Sequence, residues 1–181
     1  MSPGKAMWLA VAFACGAGTA IPAGAVDKTD TAPPTLSQED IDLWAFMAVS
    51  DLAPGKTVAD FRAMPNFSGE TRDELRGLKD DAEQTRGGPV GYRFAYSDGL
   101  DVRVLDYGES AFITRLRVSG AERTVKDTVK IGSSREQIES TLGRPTRAGG
   151  SYWVYEGKND QIRVFYTPKG AVSAVEVDRG G

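Results

Sequence analysis

Residues 131–145 read IGSSREQIESTLGRP and prescribe one short helix. Ser133 stands where an N-cap belongs, with Glu136 three residues on to close a capping box. Ile138 and Leu142 follow four apart on one face. Gly143 then offers a left-handed C′ residue, and Pro145 forbids continuation. A helix this short is marginal alone in water, so another surface must receive its apolar stripe.

That surface follows directly. After Gly150 the apolar period changes from 3.6 to 2 in SYWVYEGKNDQIRVFYTPKGAVSAVEV, with turns near Gly157–Asn159 and Pro168–Gly170. The same layout stands earlier, in YRFAYSDGLDVRVLDYGESAFITRLRV, with turns at Ser97-Asp98-Gly99 and Tyr107-Gly108-Glu109. Phe94 and Tyr96 align with Trp153 and Tyr155 at an offset of 59, Val102 and Val104 with Ile162 and Val164 at 60, and Leu116 and Val118 with Val175 and Val177 at 59. Gly55-Lys56-Thr57 through Phe61 and Pro65 matches Gly132-Ser133-Ser134 through Ile138 and Pro145. The chain therefore reads as an internal repeat, each copy a short helix plus an antiparallel meander that cannot bury its apolar face alone.

The fold class expected is α+β: two helix-plus-antiparallel-meander repeats with the helices packed on one face of the sheet. The stripe of Ile138 and Leu142 should lie on Trp153/Tyr155, Ile162/Val164 and Val175/Val177. Burying six or seven such side chains at about 1.5–3 kcal/mol each offsets much of the ordering entropy.

Upstream, Ser37 opens SQEDIDLWAFMAVSDL, whose first-turn acids complement the helix dipole. Ile41, Trp44, Ala45, Ala48 and Leu52 form one apolar face. Leu43, Phe46 and Met47 form a second, so this helix is buried on two sides or covered by a partner. TVADFRAMP (57–65) is a second short helix stopped by Pro65. Thr71 with Glu74 suggests a capping box for a third, polar helix carrying Leu75, Leu78 and Ala82, an insertion in the first copy.

The first residues, MSPGKAMWLAVAFACGAGTAIPAGA, have the layout of a secretory signal peptide: one Lys, an apolar run, and Ala23-Gly24-Ala25 as the cleavage signal. Lipid attachment at Cys15 fits less well, because Cys15 lies inside the apolar run. Residues 26–36 (VDKTDTAPPTL) read as a flexible tether. The organisation is thus 1–25 signal peptide, 26–36 tether, 37–128 first repeat with its helical insertion, and 129–178 second repeat.

Removing 25 of 181 residues leaves 156, with 21 basic and 25 acidic side chains, net −4. That balance argues against nucleic acid as a partner. No further hydrophobic segment approaches membrane-spanning length. The chain has no His, and its one Cys lies in the leader. Disulfides, thiol chemistry, structural zinc and His-based triads are therefore excluded from the mature chain. Export without disulfides suits a periplasm.

The run IGSSREQIESTLGRP followed by YWVY and a hairpin resembles the SmpA/OmlA (BamE-type) proteins of outer-membrane assembly. It also resembles the fold group named after the β-lactamase inhibitor protein, built from tandem helix-plus-sheet repeats. The shared pattern is Gly, Ser/Thr, Glu, Ile, Leu-Gly and Pro, then an aromatic strand, covering 131–166 directly and 54–118 through the internal repeat. The chain departs from the first group in having two units and a poor lipidation signal, and from the second in having no disulfides. The resemblance implies an architecture and a binding role, and no named functional residue.

Chemical motifs are weak by comparison. SDLAPGKT (50–57) looks like a phosphate loop, but Ser50 replaces its first Gly and a helix precedes it where a strand is needed. Asp98, Asp101 and Asp106 fit no calcium-loop spacing. Asp80-Asp81 with Glu83, and Glu136 with Glu139, are neighbours on helices, whereas catalytic carboxylates must face each other across a cleft. No cofactor or metal is expected.

The informative surface is the other side of the sheet. Alternation sends Arg93, Arg103, Leu105, Tyr107, Arg115 and Arg117 away from the core, joined by Tyr152, Arg163 and Phe165 from the second repeat. Arg and aromatic residues are enriched at protein–protein hot spots. The expectation is an exported, periplasmic, non-catalytic module that grips another envelope or exported protein, as scaffold or inhibitor, through a cationic plane. A carboxylate-dependent cell-wall hydrolase and a self-associating structural module are the alternatives.

Overall fold

The computed structural model describes residues 35–73 and 88–180. The expected signal peptide with Cys15, nearly all of the expected tether, and residues 74–87, which include Leu75, Leu78 and Ala82 of the expected third helix and the Asp80/Asp81/Glu83 group, lie outside the described residues.

Three helices carry their own start signals. Helix α1 (Gln38–Leu52) begins at Ser37 with Asp40 completing a capping box. Its buried face is Ile41, Trp44, Ala45, Ala48 and Val49, while Leu52 is only partly covered. Helix α2 (Val58–Ala63) is capped by Thr57 and Asp60. Its Phe61 is fully buried and stacks on Phe94 with ring centroids 5.4 Å apart. Tyr96 Oη donates to the Phe61 carbonyl at 2.8 Å, tying the helix end to the sheet.

Helix α3 (Arg135–Leu142) corrects the opening expectation by one residue: the capping pair is Ser134 and Gln137, not Ser133 and Glu136. The reason lies next door. The Gly132 N–H donates to the Val172 carbonyl and the Val172 N–H to the Ser133 carbonyl, both at 2.8 Å, so these residues stay paired to a strand. The helix starts at the first residue free of that pairing. Gly143 ends it at φ 70, ψ −162, a region essentially reserved for glycine.

Ten strands follow in chain order: β1 (Phe67–Asp73), β2 (Val90–Tyr96), β3 (Leu100–Asp106), β4 (Ala111–Val118), β5 (Thr124–Val125), β6 (Val129–Lys130), β7 (Arg147–Ala148), β8 (Tyr152–Glu156), β9 (Asp160–Tyr166) and β10 (Val172–Arg179). Eight form one antiparallel sheet in the order β1-β2-β3-β4-β10-β9-β8-β7. The fold is α+β, with a large antiparallel sheet and few helices. β5 and β6 make a separate hairpin whose Val125 and Val129 face each other and are buried.

Strand β1 corrects a second expectation. Thr71 caps no helix; it lies in β1 opposite Arg93 of β2. The segment Phe67–Asp73 is polar and carries little apolar alternation, so its strand state comes from backbone pairing along the edge of β2.

One sheet face bears the core: Phe94, Val102, Val104, Leu116 and Val118 from one meander, and Trp153, Tyr155, Ile162, Val164, Val175 and Val177 from the other. All three helices bury one apolar face in this single cluster, while Leu43, Phe46 and Met47 on the outer face of α1 stay exposed. Ile138 and Leu142 join it beside Tyr155, whose hydroxyl donates to the Gly143 carbonyl at 3.3 Å. They do not cover the second meander alone. Helix α1 packs over β8, β9 and β10. Its carboxylate Asp42 fixes that position by accepting the backbone N–H groups of Lys158, Asn159 and Asp160 at 3.0–3.3 Å, at the β8–β9 turn.

Candidate functional site

The face of the sheet turned away from the helices is defined by register. Arg93, Arg103 and Arg115 stand opposite one another across β2, β3 and β4, and Asp178 of β10 continues the row. In the next row Asp101, Arg117, Glu176 and Arg163 are successive partners across β3, β4, β10 and β9. Antiparallel alternation places side chains two apart on one face, so these rows form a single surface.

Charge pairing dominates it. Arg93 contacts Asp101 at 2.6 Å, and Arg115 contacts Asp178 at 2.5 Å. Glu176 lies between Arg117 at 3.2 Å and Arg163 at 2.9 Å, and Arg163 also reaches Asp178 at 2.9 Å. Farther out, Arg147 contacts Glu156 at 2.6 Å. The expected cationic plane is therefore a mixed one. The acids Asp101, Glu176 and Asp178 were absent from the expected site, yet they occupy the same alternating positions as the arginines. Val-Glu-Val-Asp in β10 carried that signal, because residues between two core valines must face the other way.

Glu176 is only 6% exposed. Burying a carboxylate is costly unless it is paired and hydrogen-bonded, and its two guanidinium partners meet that need. The Arg115 guanidinium is desolvated, which disfavours its charge, but the Asp178 carboxylate outweighs this and holds its pKa above the ordinary value.

The rings behave differently. Phe165 lies under Arg117, with the guanidinium carbon 4.6 Å from the ring centroid, and Tyr152 adjoins it at 5.9 Å. Arg117, Arg163, Phe165 and Tyr152 thus form one group, and Arg93, Arg103 and Arg115 another. Leu105 is half-buried on β3 opposite Phe112. Tyr107 does not belong here. It lies beyond the end of β3, 58% exposed, and lines a cleft beside α1. Alternation cannot be extended through a turn, which is why the period misplaced it.

The chemical motifs resolve into local structure. Backbone N–H groups of Lys56 and Thr57 donate to Asp60 at 3.0 and 2.9 Å, as a helix cap. Asp98 binds Arg123 and Asn66, Asp101 binds Arg93, and Asp106 accepts from the Gly108 N–H, so the three aspartates serve separate contacts. Among the described residues no group of three or more His, Cys, Asp or Glu is placed to hold a metal ion. No described helix is long and apolar enough to cross a membrane.

No family model and no curated protein matches the chain. One solved structure is similar to it: a DUF4309 family protein (YjgB) from Bacillus subtilis, at 14% identity and a TM-score of 0.35, covering 79% of this chain and 97% of that one.

Proposed function

We propose that the chain is an exported, non-catalytic protein-binding module that docks another envelope or exported protein on the open face of its sheet. One observation carries the reading: Arg117, Arg163, Phe165 and Tyr152 form a half-exposed cluster on a sheet face that the described helices leave uncovered. Arg and aromatic residues supply planar hydrogen bonding and desolvated area at hot spots. Because Glu176 and Asp178 already hold the guanidinium groups, docking orders little that is not ordered beforehand, which lowers the entropic cost of association. The partner surface that complements such a face carries charges of both signs.

The same reading takes the sheet as two tandem copies, each a helix with a meander, in line with the resemblance to the β-lactamase-inhibitor fold group. The strand order supports it, since β1–β4 and β7–β10 meet through β4 and β10. So does the seam. With an offset of 59, Arg117 and Glu176 are equivalent positions, and they are direct partners across it. Helix starts agree too: the caps Thr57 and Ser134 and the box residues Asp60 and Gln137 share one offset of 77.

The test replaces Arg103, Arg163 and Phe165 by Ala and measures recovery of the partner from envelope extract, with a thermal melt to verify folding. Loss of the partner from a folded variant is expected. Unchanged recovery rejects this face. Mass spectrometry of the mature N-terminus tests export: Val26 as first residue is expected, whereas an acylated Cys15 means anchorage.

A further inference from the structure

Helix α1 has an outer face that its own domain does not use. Leu43, Phe46 and Met47 are 57%, 53% and 38% exposed, spaced i, i+3 and i+4 on the side away from the core. Phe46 is not a loose ring: the Arg179 guanidinium lies 5.6 Å from its centroid and 5.2 Å from that of Phe112. Beside it opens a cleft of about 790 Å³, lined among others by Phe46, Phe112, Tyr107, Asp160 and Arg179. The apolar stripe and the cleft are continuous through Phe46.

Charge selects the occupant. Helix α1 carries Glu39, Asp40, Asp42 and Asp51 and no Lys or Arg. With Asp160 added, and with Lys158 paired to Glu39 at 2.5 Å and Arg179 beside Asp160 counted against them, the rim keeps a net negative charge. A bilayer surface rich in anionic lipid recruits helices with Lys and Arg on the polar face, and it repels this one. A second copy meeting the first isologously sets acid rim against acid rim. An apolar segment flanked by basic residues is attracted by the same rim. Asp160 provides the inner contact. It is 7% exposed, and Arg179 Nε stands 3.7 Å from its carboxylate, too far for a hydrogen bond. Burial, joined by the nearby Asp42 carboxylate and opposed by the weaker pull of Arg179, holds the Asp160 carboxyl above its ordinary pKa, and a second cation would stabilise its charged form.

We propose that the outer face of α1 and the adjoining cleft bind a basic, apolar polypeptide segment, with Leu43 and Met47 against its apolar side chains and a Lys or Arg directed at Asp160. The inference rests on the protein-binding reading but uses a different surface. The experiment is an amide-shift titration of the mature chain with three synthetic peptides of equal length, apolar-basic, apolar-neutral and apolar-acidic, and in parallel with anionic phospholipid vesicles. The basic peptide is expected to shift Leu43, Phe46, Met47 and Tyr107 saturably. Leu43→Ser with Met47→Ser, at exposed positions that should leave the melt unchanged, should weaken it about tenfold or more. Asp51→Lys and added salt should weaken it too. Equal binding of the acidic or neutral peptide, no binding of the basic one, vesicle binding through this helix, or dimerisation through it overturns the proposal. Arg163→Ala with Phe165→Ala should leave this titration unchanged, which separates its failure from failure of the sheet-face reading.

Discussion

Removing the carboxylate of Glu176 tests whether the open face is held by its own charges. The group lies between Arg117 and Arg163, at 3.2 and 2.9 Å. A hydrogen bond to a charged group contributes about 1.5–3 kcal/mol when well formed and shielded. Here the arginine side chains are 39% and 33% exposed, so solvent screening reduces each contact to about 1 kcal/mol. Glu176→Ala loses both and leaves two guanidinium groups facing each other, for a total of about 2–3 kcal/mol. For a domain of this size that lowers Tm by about 5–10 °C. Glu176→Gln keeps an acceptor and should lose about half as much. A cycle with Arg117→Ala should give a coupling of about 1 kcal/mol that shrinks with added salt. A Glu176→Ala melt within about 1 °C of wild type would refute the reasoning and restore a face whose cations are available to an acidic partner.

Three further outcomes are expected. Phe61→Ala, which empties a fully buried site stacked on Phe94, should cost about 3–5 kcal/mol in urea unfolding, whereas Leu43→Ser, at an exposed helix position, should stay within about 0.5 kcal/mol. Gly120→Ala drives its Cβ into the Asp98 carbonyl and should lose about 2–3 kcal/mol, read as a lower Tm. Burial alone would raise the pKa of Asp42, but the backbone N–H donors of Asp160, Asn159 and Lys158 together hold it below the ordinary carboxylate value. A lowered folded pKa stabilises above the unfolded value of about 3.9 and is lost as pH falls through the folded one. Asp42→Asn should therefore be less stable than wild type at pH 7, with the gap closing below about pH 4 in urea midpoints.

The strands that alternate cleanly were legible in the sequence. β2, β3, β4, β8, β9 and β10 all fall where period two and Gly-centred turns placed them, because each presents an alternating row of apolar residues to the core, even though β8 and β10 also bury Val154, Ala174 and Glu176 on the other face. β1 was not legible. Phe67–Asp73 gains its state from pairing with β2, and edge pairing leaves little trace in side-chain pattern. The α3 cap at Ser134 was hidden from local reading by the tertiary pairing of Gly132 and Ser133 with Val172, although the alignment with Thr57 already pointed to it. α1 announced its start and its two apolar faces. That it lies over β8–β10 depends on Asp42 meeting a turn more than a hundred residues away, which no local pattern encodes. On the candidate face, the arginines were visible by type and the acids were overlooked. Alternation locates a side chain on a face, but pairing is decided by strand register across the seam of β4 and β10.

The central claim is that the uncovered sheet face meets another protein. A photo-crosslinking amino acid at Phe165, with the exposed turn residue Lys169 as control, tests it in intact cells. The account predicts a discrete adduct with a different polypeptide from position 165 and none from 169. A folded, exported chain that gives no adduct from 165, or the same adducts from both positions, contradicts it.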